Sequence, residues 1–223
     1  MYYILYHSFL TLLFDKLFLS TYLSPHQPTA CWTTDYDAPE SQDKFLSDDV
    51  ARNKFQNAPS IKYVLESKQI EKYGCIFLCG GHGCIDDFYM NDTLRLLVEY
   101  VHNKTKGAVG SVCHGCIGLI GCKLENGNNL LKGKFVAVFS NEEEGILNLQ
   151  GVLPRQCEDL VDSAGAICVP QAPWKPNAVV DGRLASGQNP ASSLEATQRC
   201  LDILRSLGAK FSPLKNENKP WGK

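Results

Sequence analysis

The sequence predicts an α/β domain, with a mostly parallel sheet and helices on both faces. Short apolar runs that end in glycine turns, such as Tyr73-Gly-Cys-Ile-Phe-Leu-Cys79, read as strands buried on both sides. Between such runs lie stretches of helical spacing, at which Leu94, Leu96, Leu97, Tyr100 and Val101 recur. The two patterns alternate along the chain, which is how parallel strands joined by crossover helices are written. With 223 residues, 44% of them hydrophobic, the chain suits a single domain over 1–223 better than two small ones.

The elements follow in order. Residues 1–23 form an atypical apolar and aromatic segment, in which Asp15 and Lys16 cut the run below the length of a membrane span. No basic residue precedes that run and no small-residue cleavage site follows it, so a signal peptide fits poorly. It reads as a buried strand and helix of the domain, or as a start that is not the native one. Ser24 to Asp43 reads as a surface loop, and residues 47–68 as a weakly amphipathic helix.

A strand is expected over 73–79, a helix over 91–104, and a strand of small residues over 107–112 that runs into Cys113. Residues 115–124 are expected to start a helix at once. After a polar turn at Asn126-Gly127 come a strand at Lys134–Phe139, a helix over 155–164, and strands at Ala166–Val169 and Ala178–Gly182. A closing helix spans Ser192–Leu207, and 208–223 is a polar tail.

With 22 basic and 24 acidic residues and no long run of either sign, nothing in the chain is built to track a phosphate backbone or an anionic membrane. Neither nucleic acid nor a membrane is an expected partner. The ten cysteines do not form a secreted disulfide pattern, and several sit in apolar runs as small hydrophobes. A reducing, intracellular compartment follows, the cytoplasm with the nucleus as the alternative.

In such a sheet the reactive groups gather at the carboxyl ends of the strands. Gly110-Ser-Val-Cys-His-Gly115 places Cys113 where a strand gives way to a helix, with small residues to permit a tight elbow. A thiol at a helix N-terminus has its thiolate stabilised by unpaired amides. His114 can exchange a proton with it once a carboxylate orients the imidazole, and Asn141-Glu142-Glu143-Glu144 lies near the same sheet edge. The turn Gly80-Gly81-His82-Gly83 offers backbone N–H donors for a developing oxyanion, but it lacks the spacing and lysine of a phosphate loop.

Blander readings use the same residues: an inert buried thiol, a solvated glutamate turn, a plain strand-to-helix turn. Cys113-His-Gly-Cys116 also has the spacing of a redox dithiol. Cys79, His82, Cys84, Cys113, His114 and Cys116 could form a zinc site if the two turns meet, though without paired C-x2-C spacings.

Three segments together resemble the ThiJ/PfpI superfamily, in its branch of glutathione-independent glyoxalases, the glyoxalase III or heat-shock protein 31-like proteins. They are Gly80-Gly81-His82-Gly83 with Asp86-Asp87, the elbow Val112-Cys113-His114-Gly115, and the run from Asp181 to Ser192. The resemblance covers about residues 60–207. It implies a flavodoxin-like three-layer sandwich, with Cys113 as nucleophile, His114 as its partner and Glu144 as the third member of a triad. Gly80, Gly81 and His82 are implied to hold the oxyanion and substrate.

The implied reaction is conversion of a 2-oxoaldehyde, methylglyoxal, to lactate (a D-lactate dehydratase-type lyase) without a cofactor or metal. Deglycation and holdase-type chaperone activity are also attributed to the branch, and dimers are usual in it. The family's first strand and helix, whose first turn offers a glutamate to the cysteine, have no match here. Asp15 is the sole acid of the N-terminal stretch, Asp35 lies in the loop beyond it, and Glu40 comes too late in the chain. The first strand and helix are thus expected to be altered or truncated and the activity impaired. The alternative is a non-catalytic chaperone-like or redox-stress protein of the same fold.

Overall fold

The computed structural model describes residues 18–20, 47–49, 60–67, 69–151 and 154–209. The loop Ser24–Asp43, most of the segment 1–23, the tail from residue 210 and the N-terminal glutamate question lie outside them.

A five-stranded sheet carries the fold in the order β1 (Phe18–Ser20), β2 (Cys75–Leu78), β3 (Ala108–Val112), β7 (Leu184–Gly187), β6 (Ala178–Asp181). All neighbours are parallel except β6 and β7, which form a hairpin. A second, two-stranded parallel sheet pairs β4 (Phe135–Val136) with β5 (Ile167–Cys168). Every residue of β2, β3 and β7 is buried, as in strands covered on both faces.

Among the described residues the α-helices are α1 (Ile61–Glu66), α2 (Cys84–Asp87), α3 (Asp92–Glu99), α4 (Asn141–Ile146), α5 (Cys157–Ser163) and α6 (Ser193–Ser206). The amphipathic run predicted over 91–104 is α3 plus a wider π-helical turn, Tyr100–Lys104, with Leu94, Leu97 and Val98 turned into the core. Asn91 caps it, its side chain accepting the Leu94 N–H at 3.0 Å. Of the helix predicted over 47–68, residues 47–49 and 60–67 are described, and the second stretch holds α1, capped by Ser60.

The two faces of the sheet are covered differently. One presents Cys75, Phe77, Gly110 and Gly187 to α6, where the Cys75 and Cys200 sulfurs meet at 3.3 Å. Gly110 therefore serves this layer: a Cβ there would stand 2.2 Å from the Phe77 ring and 2.9 Å from Cys200 Sγ. On the opposite face Leu78 packs with Gly118, Leu94 and Phe88.

Three expectations change. Residues 115–124 do not form an α-helix; Cys113–Leu119 is a 3₁₀-helix and Ile120 is already extended. Gly115 and Gly118 lie in that stretch, and each glycine costs an α-helix about 0.5–1 kcal/mol relative to alanine. The strand expected over Lys134–Phe139 pairs only at Phe135–Val136, because the next amide, Ala137 N–H, donates to the Ser186 hydroxyl at 2.9 Å instead of to a neighbouring strand. Finally, Leu184-Ala-Ser-Gly187 is a central strand. Its small, partly polar residues hid it, although Asp181-Gly182 ahead of it is a hairpin signal, with Gly182 at φ +63°.

Candidate active site

Because β2 and β3 are parallel and in register, with Leu78 opposite Ser111, their carboxyl ends release two loops side by side. From β2 comes Cys79-Gly80-Gly81-His82, and from β3 comes the elbow at Cys113. The loops touch closely. A Cβ on Gly80 would lie 2.4 Å from the Val112 carbonyl oxygen and 2.6 Å from Cys113 Cβ, and one on Gly115 would lie 2.1 Å from the Leu78 carbonyl oxygen. Cys113 itself has φ +58°, a conformation rare for a side-chain-bearing residue and held here by packing on every side.

The elbow aims the thiol at its neighbour. Cys113 Sγ lies 3.3 Å from His114 Nδ1, and on the far side of the ring His114 Nε2 lies 2.6 Å from Glu144 Oε1. The carboxylate's other oxygen, Oε2, is 3.2 Å from His82 Nε2. The two imidazoles are stacked at a tilt, 4.4 Å between centroids, and Phe139 lies against His114 at 4.9 Å. Cys113, His114 and Glu144 are buried, while the His82 side chain is 40% exposed and forms the rim.

Electrostatics fix the protons. Burial alone would raise the Glu144 carboxyl, but hydrogen bonds from His114 and His82 hold it down at about 2, so it is a carboxylate that accepts from both rings. Burial pushes the His114 imidazole below its ordinary value, against the hydrogen bond to Glu144. A neutral His114 that donates from Nε2 keeps its lone pair at Nδ1, facing the thiol.

The thiol is not the preformed thiolate expected of a helix N-terminus. Burial pushes Cys113 up, the backbone N–H groups of His114 and Gly81 pull it back, and the charges of Glu143 and Glu144 push it further up. The 3₁₀ geometry behind it removes the α-helical dipole on which that expectation rested.

The structure thus brings together Cys113, His114, Glu144, Gly80, Gly81 and His82. Gly81 directs its backbone N–H at the Cys113 thiol; His82 contributes its side chain, which the turn reading did not foresee. The zinc set proposed from the six cysteine and histidine positions does not assemble. Among the described residues the group that can share an ion is His82, His114 and Glu144, without a cysteine. The glutamates are not a solvated turn either, since Glu143 and Glu144 are both buried in α4.

Glu143 was missed. It caps α4 by accepting from Ser140 N–H and Oγ at 3.0 Å each, and it also accepts from Trp174 N–H at 3.0 Å, Gln188 Nε2 at 3.1 Å and Asn189 Nδ2 at 2.8 Å. The late Asp181–Ser192 run is therefore tied to the back of the site. Ser140-x-x-Glu143 has the spacing of a capping box and was the available signal.

Fold and site together define a class: an α/β sandwich whose buried cysteine, on a strained elbow, is linked through histidine to a carboxylate. No family model matches the chain. It is 30% identical over 142 residues to glutathione-independent glyoxalase HSP31 of Saccharomyces cerevisiae, covering 61% of this chain and 60% of that protein. It is 31% identical over 139 residues to the probable glutathione-independent glyoxalase hsp3104 of Schizosaccharomyces pombe, covering 60% and 62%. The chain thus spans about three fifths of the length of these curated relatives.

Among solved structures, Rapid Encystment Protein 24 kDa of Francisella tularensis matches with a TM-score of 0.69 at 30% identity, over 91% of this chain and 87% of that one. Glyoxalase III of Candida albicans matches with a TM-score of 0.56 at 25% identity, over 69% and 70%. In sequence the chain is similar to proteins named glutathione-independent glyoxalases, and in fold to a solved glyoxalase III. Among the described residues no helix is long and apolar enough to cross a membrane.

Proposed function

We propose that this chain is a Cys113-dependent, glutathione-independent glyoxalase that converts methylglyoxal to lactate. The observation that carries the reading is the linked set Sγ(Cys113)–Nδ1(His114)–Nε2(His114)–Oε1(Glu144), beside two backbone N–H groups.

Addition comes first. His114 Nδ1 takes the thiol proton as Sγ bonds to the aldehyde carbon, so ionisation and attack are one event and a buried, neutral thiol is a workable ground state. The aldehyde oxygen becomes an oxyanion near the N–H groups of Gly81 and His114, and then a hydroxyl. Removal of the hydrogen on that carbon gives an enediol, and reprotonation at the adjacent carbon leaves a 2-hydroxy thioester. Water hydrolyses the thioester, releasing lactate and restoring the thiol; the sum is methylglyoxal plus water to lactate. Glu144 stays ionised and stabilises the imidazolium formed in the first step.

Purified protein is expected to form lactate from methylglyoxal with no thiol added, and Cys113→Ala to abolish it. Equal inertness of the two proteins would remove the catalytic reading and leave the chaperone-like alternative, which predicts suppression of client aggregation that Cys113→Ala does not alter.

A further inference from the structure

The triad explains one oxygen of Glu144 and leaves a geometry that it does not need. His82, His114 and Glu144 each offer one ligand atom, and these atoms all lie within 4.8 Å of one another. Two imidazoles and a carboxylate are the donor set of open, three-ligand sites for zinc and neighbouring transition metals. The two rings reach Glu144 through the same nitrogen: His114 Nε2 stands 2.6 Å from Oε1 and His82 Nε2 stands 3.2 Å from Oε2.

Tetrahedral ligands at about 2.0–2.1 Å from zinc are ~3.3 Å apart, so binding an ion spreads the 2.6 Å pair and draws any separation near the 4.8 Å limit inward. His82 lies at the exposed rim and gives a way in. Glu143 is not available as a competing ligand, because its oxygens already accept from Ser140, Trp174, Gln188 and Asn189. Cys113 Sγ sits on the opposite side of the His114 ring, against Nδ1.

We propose that a divalent transition-metal ion of the zinc type binds at His82 Nε2, His114 Nε2 and Glu144, and that its occupancy switches the Cys113 site off. The off-state part rests on the glyoxalase reading above. Metal binding needs the Nε2 lone pair, so the single proton of neutral His114 moves to Nδ1. That is the atom that must receive the Cys113 proton, and once protonated it cannot. The imidazole stays neutral and Glu144 stays ionised; only the nitrogen that carries the proton changes. Hard cations such as Mg²⁺ and Ca²⁺, which prefer six or more oxygens, do not suit this donor set.

Zinc titrated into the chelator-treated full chain is expected to bind at one site that His82→Asn weakens at least about tenfold and Cys113→Ser leaves in place. Cobalt(II) at the same site is expected to show visible bands of nitrogen and oxygen ligation without thiolate charge transfer. This spectrum reports on the wild type even if Glu144→Gln fails to fold. Zinc should inhibit lactate formation with the midpoint of binding, and a chelator should restore it.

Affinity unchanged in His82→Asn, a cobalt–thiolate band, or full turnover with the site filled would each overturn the proposal. A chain that binds zinc at these three residues but never turns over methylglyoxal would sink the glyoxalase reading and leave the metal site standing.

Discussion

His114 Nε2 stands 2.6 Å from Glu144 Oε1, and both side chains are wholly buried. This pairing holds the ring with Nδ1 toward Cys113 and supplies the charge that steadies an imidazolium. In Glu144→Gln the amide oxygen can still accept from Nε2, but the charge is gone and the flipped amide favours the wrong tautomer. Lactate formation is expected to fall by about 10²–10⁴ with little change in KM. A variant that keeps most of its kcat would remove Glu144 from the triad.

The pH profile follows from the same burial. His114 is held below its ordinary value, so it loses its extra proton, and becomes able to accept one from Cys113, only as pH rises through a point below about 6.5. The acid limb of kcat/KM is expected below that point. Cys113 is pushed up by burial, so no population of free thiolate should appear near neutrality, and alkylation by iodoacetamide should still be accelerating above pH 9. A rate of alkylation that has reached its plateau by pH 7 would show a preformed thiolate and reverse this assignment.

The elbow depends on glycine at a position where space, not flexibility, decides. A Cβ on Gly115 would meet the Leu78 carbonyl oxygen at 2.1 Å, a backbone atom at the end of the buried strand β2 that has nowhere to go. Gly115→Ala is expected to cost at least about 1–3 kcal/mol in chemical denaturation, the range for overpacking a core. Gly83→Ala is the control, since a Cβ there meets nothing within 4 Å and should leave the midpoint where it is.

How much of this was legible in the sequence depended on whether the signal was local. Strand β2 announced itself as an unbroken apolar run and β3 as a run of small residues that leads straight into Cys113. The orientation of His114 was not legible, because it is set by Glu144, thirty residues on and brought in by a helix of only six residues. Strand β7 was hidden by its own role. A strand that must sit against α6, with Gly187 2.9 Å from Ala196 Cβ if a side chain were added, is built from small residues that carry little strand propensity. The 3₁₀ turn after Cys113 was concealed for a related reason: two glycines placed for close packing also weaken the α-helix that the elbow pattern suggests.

Glu143 carries the last prediction. Its two oxygens collect donors from Ser140, Trp174, Gln188 and Asn189, which belong to three separate stretches of chain. Glu143→Ala takes one acceptor from each of those donors; Gln188 Nε2 and Asn189 Nδ2 keep the Gln171 and Lys175 carbonyl oxygens, and each buried N–H or O–H left short of an acceptor costs about 1–3 kcal/mol. The expected result is a loss of several kcal/mol of stability, and a changed environment for Trp174, whose ring packs edge-on against Phe139 at 5.7 Å. Because Phe139 in turn lies against His114, kcat should fall although Glu143 touches none of the reacting atoms. Glu143→Gln keeps two acceptor lone pairs on one oxygen and is expected to recover part of the stability. Denaturation and tryptophan fluorescence of the two variants separate these effects: a Glu143→Ala protein as stable as the wild type, with unchanged Trp174 emission, would show that the network is not what holds the late Asp181–Ser192 run against the site.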